Sequence, residues 1–348
     1  MDVTGSDVTP ASVQSPAVRR ERGGPPLASS RFQPTGGKRA RDARIVPGLA
    51  RKRAGSVPAA LLAAALALAA ALAPATPAAA ALADAVADSA AYLGARQNGD
   101  GGFGESGRGS DASLTAWVVL ALKASGRDPA AESNDRSPAE YLAGKPYPTA
   151  TDLELRILAL DALARSDQAA ALAERLEGLR RPSGAIGQGV NSTIWGVIAL
   201  RAVGRPAGAS TVAYLLRQQR KDGGWPWLTG IASDSNDTAA AIQALRAAGV
   251  VASAKPIRRG LGYLRSLQNA DGGFELSSGR GSDAQSTAWA IQAFLAAGRE
   301  PGDFAFAYLA RLRRSDGSYR YSEAYATTPV WVTAQVVPAL ARRPFPVP

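Results

Sequence analysis

The sequence predicts an all-α fold, a single ring of six helix pairs, on three observations. An aromatic residue, a Gln and an Asp-Gly-Gly turn recur together in Tyr92–Phe103, Tyr214–Trp225 and Tyr263–Phe274. The helix that follows each turn has a fixed length between a Thr and a Gly. The copies recur at roughly 45–50 residues, which is the period of stacked helix pairs that cannot bury their apolar faces alone.

The first 80 residues differ in composition from the repeats. They hold eleven Lys or Arg and four Asp or Glu, whereas the other 268 residues hold 29 and 25. Residues 1–56 lack periodicity and are predicted to be a disordered basic region, with the hypothesis that translation starts further down, near Val46. Residues 57–80 have the apolar run and small-residue end of a signal peptide, with the cut expected after Ala80. Residues 81–348 are then an exported toroid domain with no stable membrane span, and an uncleaved N-terminal anchor is the alternative.

Each repeat begins with an amphipathic helix. In the fifth copy, Leu261 and Leu264 alternate with Arg258 and Arg265, which is the pattern of a helix with one solvated face. These helices are predicted to form an outer layer. Their six starts fall near Leu82, Pro138, Ala169, Ser210, Pro256 and Asp303.

The second helix of each pair is rich in small apolar residues, which suits a helix crowded on several sides. A polar residue at its start can cap the free N–H groups, and a Gly can close it in a left-handed conformation. Six crowded inner helices favour closure into a single α6/α6 toroid over an open solenoid. The Thr and the closing Gly are eleven residues apart in four copies, Thr115 to Gly126, Thr193 to Gly204, Thr238 to Gly249 and Thr287 to Gly298.

The turn between the two helices has the composition of a scaffold. Its Gly supplies the positive φ of a tight turn, and its Asp can bond the backbone two residues on. Its Gln is predicted to tie the helix end to the loop. The residues interpreted as structural in this way are Gln97, Gln219, Gln268, Gly101, Gly223 and Gly272.

The fifth copy resembles a repeat of a known superfamily. Its Arg259-Gly260, Tyr263-Leu264, Gln268, Gly272 and Phe274 are similar to the QW repeat of squalene and oxidosqualene cyclases. The same repeat occurs in the α/α toroids of protein prenyltransferase β subunits, and related toroids include cobalamin carriers such as intrinsic factor. The resemblance extends over residues 85–343 and implies the toroid fold. It leaves the activity open, because this fold hosts unrelated functions.

Absent residue types exclude several functions. The chain has no Cys and no His, which removes thiolate nucleophiles, His general bases and the common zinc ligand sets. A zinc protein prenyltransferase is therefore excluded, and the sequence predicts no metal and no cofactor. Most of the net charge of +11 lies in the first 80 residues, and no basic stripe with interleaved aromatic residues predicts a nucleic-acid partner.

The segment Asp234-Ser235-Asn236-Asp237 resembles the D-x-D-D motif of class II terpene cyclases. The resemblance implies that the third residue is the acid that protonates an alkene or an epoxide. Asn236 stands at this position, and an amide has no carboxylic proton to give. Asp234 and Asp237 are therefore the catalytic candidates. The alternative is that both carboxylates cap the helix and interact with its dipole.

Two further sets of residues lie at fixed distances from the repeat Thr. Asp111 and Asp283 lie four residues before it, as Asp234 does, and they either cap their helices or ring the mouth of a cavity. The Trp residues two positions after it either pack between inner helices or line a ligand cavity with their ring faces. They are Trp117, Trp195 and Trp289.

Loop aromatic residues complete the candidates. Trp225 and Trp227 lie in one loop, and a Tyr cluster lies in another, so both groups are predicted to be exposed at the rim. Exposed rings there suit contact with a partner protein. The Tyr cluster comprises Tyr319, Tyr321 and Tyr325.

Three functions remain open. The main expectation is binding of an apolar or amphipathic small molecule (an isoprenoid, a lipid or a corrin-like compound) in a central cavity. The alternative is a terpene cyclase-like or mutase-like enzyme, with Asp234 or Asp237 as the acid and the three Trp rings around the substrate. The third is a surface scaffold that presents its rim loops to other proteins.

Overall fold

The computed structural model describes residues 77–131 and 136–347, and these form twelve helices in six outer–inner pairs. The outer helices are α1 (Pro77–Gly94), α3 (Pro138–Ala143), α5 (Ser166–Gly178), α7 (Ala209–Gln218), α9 (Lys255–Ser266) and α11 (Asp303–Leu312). The inner helices are α2 (Ala112–Ser125), α4 (Ala150–Ala162), α6 (Val190–Ala202), α8 (Ser235–Ala247), α10 (Ala284–Ala296) and α12 (Pro329–Leu340). The predicted all-α arrangement of helix pairs is confirmed.

The inner helices close into a ring. Each inner helix packs against the next along the chain, and α12 packs against both α2 and α1. The Glu105 carboxylate, from the first repeat, accepts hydrogen bonds from the backbone N–H groups of Val330 and Trp331 at 3.1 and 2.9 Å. These N–H groups begin α12, which has no side-chain cap of its own. Glu105 therefore joins the two ends of the ring.

The core follows from the difference between the two kinds of helix. In the inner helix α8, Ala239, Ala240 and Ala244 are all buried, because α6 and α10 pack on its two sides and α7 and α9 pack outside it. The outer helix α9 buries Ile257 and Leu264 and leaves its charged face in solvent. Small residues thus let the inner helices approach closely.

Two short antiparallel strand pairs set the start of two inner helices. Strands β1 (Trp225–Pro226) and β2 (Ser233–Asp234) pair with Trp225 opposite Asp234, and β3 (Phe274–Glu275) and β4 (Ser282–Asp283) pair in the same register. The Trp225 N–H also donates to the Thr238 hydroxyl at 2.9 Å. The aromatic residue of the turn therefore fixes the position of the Asp that precedes the inner helix.

The predicted leader lies mostly outside the described residues, as does the whole of residues 1–56. Residues 77–80 form the first turn of α1, so the expected cut after Ala80 falls inside this helix. Among the described residues, none of the helices has the length and hydropathy needed to cross a bilayer.

Candidate functional site

The Gln and Gly residues of the turns bond to one another. Each Gln side chain donates its amide N–H to the carbonyl of the Gly four residues on, at 3.1 Å for Gln97, 2.8 Å for Gln219 and 3.0 Å for Gln268. A Cβ on Gly223 would meet the Arg259 carbonyl oxygen at 2.7 Å, so the backbone approach there requires a glycine. The corresponding φ angles are +88° for Gly101, +99° for Gly223 and +87° for Gly272.

Three inner helices begin with an Asp cap. The carboxylates of Asp111, Asp234 and Asp283 each accept the backbone N–H three residues on, at 2.7, 2.8 and 2.7 Å. Their surroundings differ, since Asp111 is exposed, Asp234 is half-buried and Asp283 is buried. Capping therefore accounts for one hydrogen bond at each Asp, whereas the exposure of the three carboxylates differs from helix to helix.

A second carboxyl group stands beside the cap of α8. Asp237 is only 7% exposed. Its backbone N–H donates to the Asp234 carboxylate at 2.8 Å, and its own carboxylate accepts the Asn191 amide N–H at 2.7 Å. Burial raises the pKa of Asp237 well above its usual value, and the charge of Asp234 raises this pKa further. Burial also raises the pKa of Asp234. Two neighbouring carboxyl groups cannot both ionise at low cost, so this pair, called the acid pair below, holds a proton to a higher pH than an ordinary Asp does.

A pocket of about 890 Å³ opens next to Asn191, at the starts of α4 and α6. Leu179, Trp227 and Leu228 form its apolar wall, and Arg181 adds a positive charge. This volume is typical of small-molecule sites. The pocket, called the rim pocket below, lies where the second and third repeats have lost the Asp-Gly-Gly turn.

Asn191 connects the rim pocket to the acid pair. Its side chain donates to Asp237, and its backbone N–H donates to the Trp227 carbonyl at 3.0 Å. Trp227 is 53% exposed at the mouth of the pocket. One residue of the pocket wall therefore holds both the acid pair and the loop that carries the exposed ring.

The three repeat Trp residues meet at the centre of the ring. The ring centroids of Trp117, Trp195 and Trp289 lie 5.4 to 5.9 Å apart in edge-to-face contact. These three side chains are called the aromatic cage below. Phe345, from the C-terminal segment, lies 5.7 to 5.9 Å from all three. Side chains of the chain itself thus fill the expected central cavity.

Comparisons with known proteins agree with this architecture. Residues 204–333 match the family model of the squalene-hopene cyclase C-terminal domain. A protein from Actinoplanes has 20% identity and a TM-score of 0.58 over 75% of this chain and 99% of its own. A single-residue variant of the type II terpene cyclase MstE from Scytonema, in complex with the substrate geranylgeranyl dihydroxybenzoate, has 18% identity and a TM-score of 0.54 over 75% of this chain and 97% of its own. No curated protein sequence matches the chain.

The chain has the toroid fold of the squalene-cyclase superfamily. A glycosidase in complex with glucose has the same fold, with 13% identity and a TM-score of 0.53 over 78% of this chain and 99% of its own. At these identities the toroid alone does not determine the reaction, which depends on the residues of the site.

The loop aromatics of this toroid divide into core and rim. The prediction of exposed contacts is wrong for Trp225 and Tyr319, which are both almost fully buried. The Trp225 indole N–H donates to the Leu215 carbonyl at 2.7 Å, and the ring occupies the same turn position as Phe103. Trp227 and Tyr325 are exposed, as expected of rim residues.

Sequence reasoning missed Asn191, and it left open whether the Pro-rich tail from Pro344 to Pro348 plugs the ring, which Phe345 does in the structure. Asn191 lies two residues before Thr193, and only the packing of α6 on α8 brings it to Asp237. No short-range spacing reports that contact. Phe345 did carry a signal, because it is the lone aromatic residue of this tail and large apolar side chains are mostly buried.

Proposed function

We propose that this toroid is an acid-initiating enzyme of the terpene-cyclase type that acts on an isoprenoid bound in the rim pocket. The observation that carries the proposal is the acid pair, in which burial raises the pKa of Asp237 and the Asp237 carboxyl group accepts a hydrogen bond at 2.7 Å from Asn191, a residue of the pocket wall. A neutral carboxylic acid in such a place is a competent proton donor. The similarity in fold to a type II terpene cyclase supports the choice of an isoprenoid.

In the proposed reaction, the Asp237 carboxyl gives its proton to one carbon of a substrate C=C bond. The π electrons form the new C–H bond, the other carbon becomes a carbocation, and Asp237 is left as a carboxylate. A second C=C bond of the same chain attacks the cation and closes a ring, which moves the positive charge to another carbon. A C–H bond next to that carbon gives its proton to water and its electrons form a new C=C bond, and Asp237 regains a proton from solvent. Asp234 and Asn191 orient the acid, and the Trp227 ring shields the cation.

The other candidate function is a carrier without chemistry. It is favoured by one observation, that Asn191 rather than Asp237 forms the pocket wall. In this case the apolar wall holds the ligand and Arg181 pairs with a polar head group. The acid pair would then only anchor the start of α8.

A single incubation separates the two functions. The full chain is mixed with geranylgeraniol or with geranylgeranyl dihydroxybenzoate. Native mass spectrometry then measures binding, and chromatography measures conversion to an isomer of equal mass. The enzyme yields a cyclised isomer, whereas a carrier returns bound, unchanged substrate. If neither compound binds nor reacts, both proposals fail.

The rim pocket itself is tested by Trp227→Ala. Loss of the exposed ring should weaken binding of these compounds by up to about tenfold, because an aromatic contact with the ligand contributes roughly 0.5–1.5 kcal/mol. Tyr325→Ala is the matched control, since it removes an equally exposed ring that does not line the pocket. Equal losses in the two variants would place the ligand elsewhere.

We also propose that the protein is exported and cleaved after Ala80. N-terminal sequencing of protein recovered from the culture medium should begin at Ala81. Recovery of cell-associated protein that still carries residues 57–80 would contradict this proposal.

A further inference from the structure

The loops that join β1 to β2 and β3 to β4 have the same length and the same anchor. They are called the rim loop, residues 227–232, and the counterpart loop, residues 276–281. The Trp227 carbonyl accepts the Asn191 N–H at 3.0 Å, and the Leu276 carbonyl accepts the Ser235 N–H at 2.9 Å. Both loops are therefore fixed at their base to the inner helix of the preceding repeat, so their positions correspond one to one.

A buried carboxylate ties the counterpart loop. Glu275 accepts the backbone N–H groups of Gly279 and Gly281 at 3.0 and 2.9 Å. In the rim loop the equivalent position is Pro226, and none of residues 226–232 is acidic. The rim loop therefore has no carboxylate of its own that could hold its tip, residues 229–232, as Glu275 holds the counterpart loop.

Weaker polar contacts hold the tip of the rim loop. The Thr229 hydroxyl donates to the Gln218 side-chain oxygen at 2.9 Å on the surface. The Ile231 N–H reaches the Leu228 carbonyl at 3.4 Å, which is long for such a bond. All four residues of the tip are exposed. An exposed segment with contacts of this kind opens at a low cost in free energy.

The side chains of the rim loop are apolar where those of the counterpart loop are polar. Leu228 and Ile231 stand at the positions of Ser277 and Arg280. Trp227 and Leu228 line the rim pocket, whereas Ile231 is 44% exposed and stands outside the pocket wall. Neighbouring exposed apolar side chains at the edge of a pocket mark a binding surface.

The rim pocket has room for a ligand, whereas Phe345 fills the aromatic cage. We propose that the tip of the rim loop closes over an apolar ligand in the rim pocket, and that Ile231 then forms part of the pocket wall. The ligand gains an apolar cover on the side that otherwise faces water, and Ile231 leaves the solvent. Closure rests on the proposed function in one respect, that the rim pocket binds an apolar ligand. It is the same for an enzyme and for a carrier.

Hydrogen exchange of the unmodified protein tests the closure, with geranylgeraniol and anilinonaphthalene sulfonate as separate probes. Without a probe, the amides of residues 229–232 should exchange at least about tenfold faster than those of residues 278–281, because the tip opens while the ring stays folded. A saturating probe should slow exchange of the tip at least about tenfold and leave residues 278–281 unchanged.

Two exchange results overturn the proposal. One is a tip that is as protected as residues 278–281 in the free protein, and the other is a tip that neither probe slows. If anilinonaphthalene sulfonate slows the tip and geranylgeraniol does not, closure is supported and the isoprenoid substrate of the proposed function is contradicted.

Ile231→Ser provides the second test, with Val251→Ser as the matched control on an exposed aliphatic side chain in the loop after α8. Ile231→Ser should raise the Kd of anilinonaphthalene sulfonate about tenfold, because the closed loop loses an apolar contact with the ligand. Val251→Ser should leave this Kd unchanged. An unchanged Kd in Ile231→Ser overturns the proposal. Equal increases in the two variants also overturn it, because the effect then does not arise at the rim loop.

Discussion

Helices α8 and α10 begin with the same cap and end up with different chemistry. In α10, the third helical residue is Ser286, whose backbone N–H and hydroxyl both donate to Asp283, at 2.7 and 2.8 Å. In α8 the same position is Asp237, a second carboxyl group, and Asn191 of the preceding inner helix bonds to it. The repeat of α10 thus gives a single carboxylate its hydrogen-bond donors. The repeat of α8 instead places two carboxyl groups close together, where they compete to ionise.

The difference shows where function can arise in a repeat protein. The turn, the cap and the Thr contact are common to both repeats, so they explain the shared fold. The acid pair needs one substitution in α8 and one neighbour from α6, and it stands next to the rim pocket, where the second and third repeats lack the Asp-Gly-Gly sequence. Chemistry is expected where the repeats depart from one another.

The largest expected effect is on turnover, where substitution of Asp237 in α8 is compared with substitution of Asp283 before α10. Asp237→Asn should lower kcat/KM at least about 100-fold, because a general acid contributes about 10²- to 10⁴-fold. The melting temperature should hold or rise, since the new amide oxygen can still accept the Asn191 N–H. Asp283→Asn is the control and should change turnover less than about twofold. Full turnover by Asp237→Asn would contradict the enzyme proposal.

Exchanging the third helical residue between α8 and α10 tests how the second carboxyl group changes the pH dependence of stability. A folded-state pKa above the unfolded value of about 3.9 means that the folded protein holds the extra proton, so stability is present at low pH and is lost as pH rises toward the folded pKa. Asp237→Ser should reduce this loss, and Ser286→Asp should add to it, by up to about 1.4 kcal/mol per pH unit.

Urea unfolding between pH 4 and pH 8 measures these slopes. The unmodified protein should lie between the two variants. Identical slopes in all three proteins would mean that Asp237 ionises as an ordinary surface Asp.

The smallest expected effect concerns the stability that the cap of α8 contributes. Asp234→Ala should lower the free energy of unfolding by about 1 kcal/mol, because the Asp237 N–H loses its acceptor. Asp234→Asn should keep most of this stability, since Asn caps helices as well as Asp does. Chemical denaturation of both variants checks the difference, and an equal cost for Ala and Asn would show that the cap oxygen contributes nothing.

Local signals in the sequence predicted the ring. The Thr-to-Gly spacing and the Gln, Asp and Gly of each turn are short sequence patterns. In the structure these residues form hydrogen bonds with partners no more than 12 residues away in the sequence. The contacts that build the sites are long-range. Asn191 meets Asp237 across 46 residues, and Phe345 meets Gln243 across 102, so only the closed fold brings them together. The burial of Trp225 could have been predicted from the sequence, because Trp225 holds the same position in its turn as Phe103.

Carbon-13 NMR of the protein labelled at the Asp side-chain carboxyl carbon tests the account most directly. At pH 7, one carboxyl resonance should keep the chemical shift of a protonated acid, should vanish in Asp237→Asn, and should persist in Asp283→Asn. If instead every Asp carboxyl is ionised at pH 7, α8 holds no spare proton and the acid pair cannot initiate a reaction.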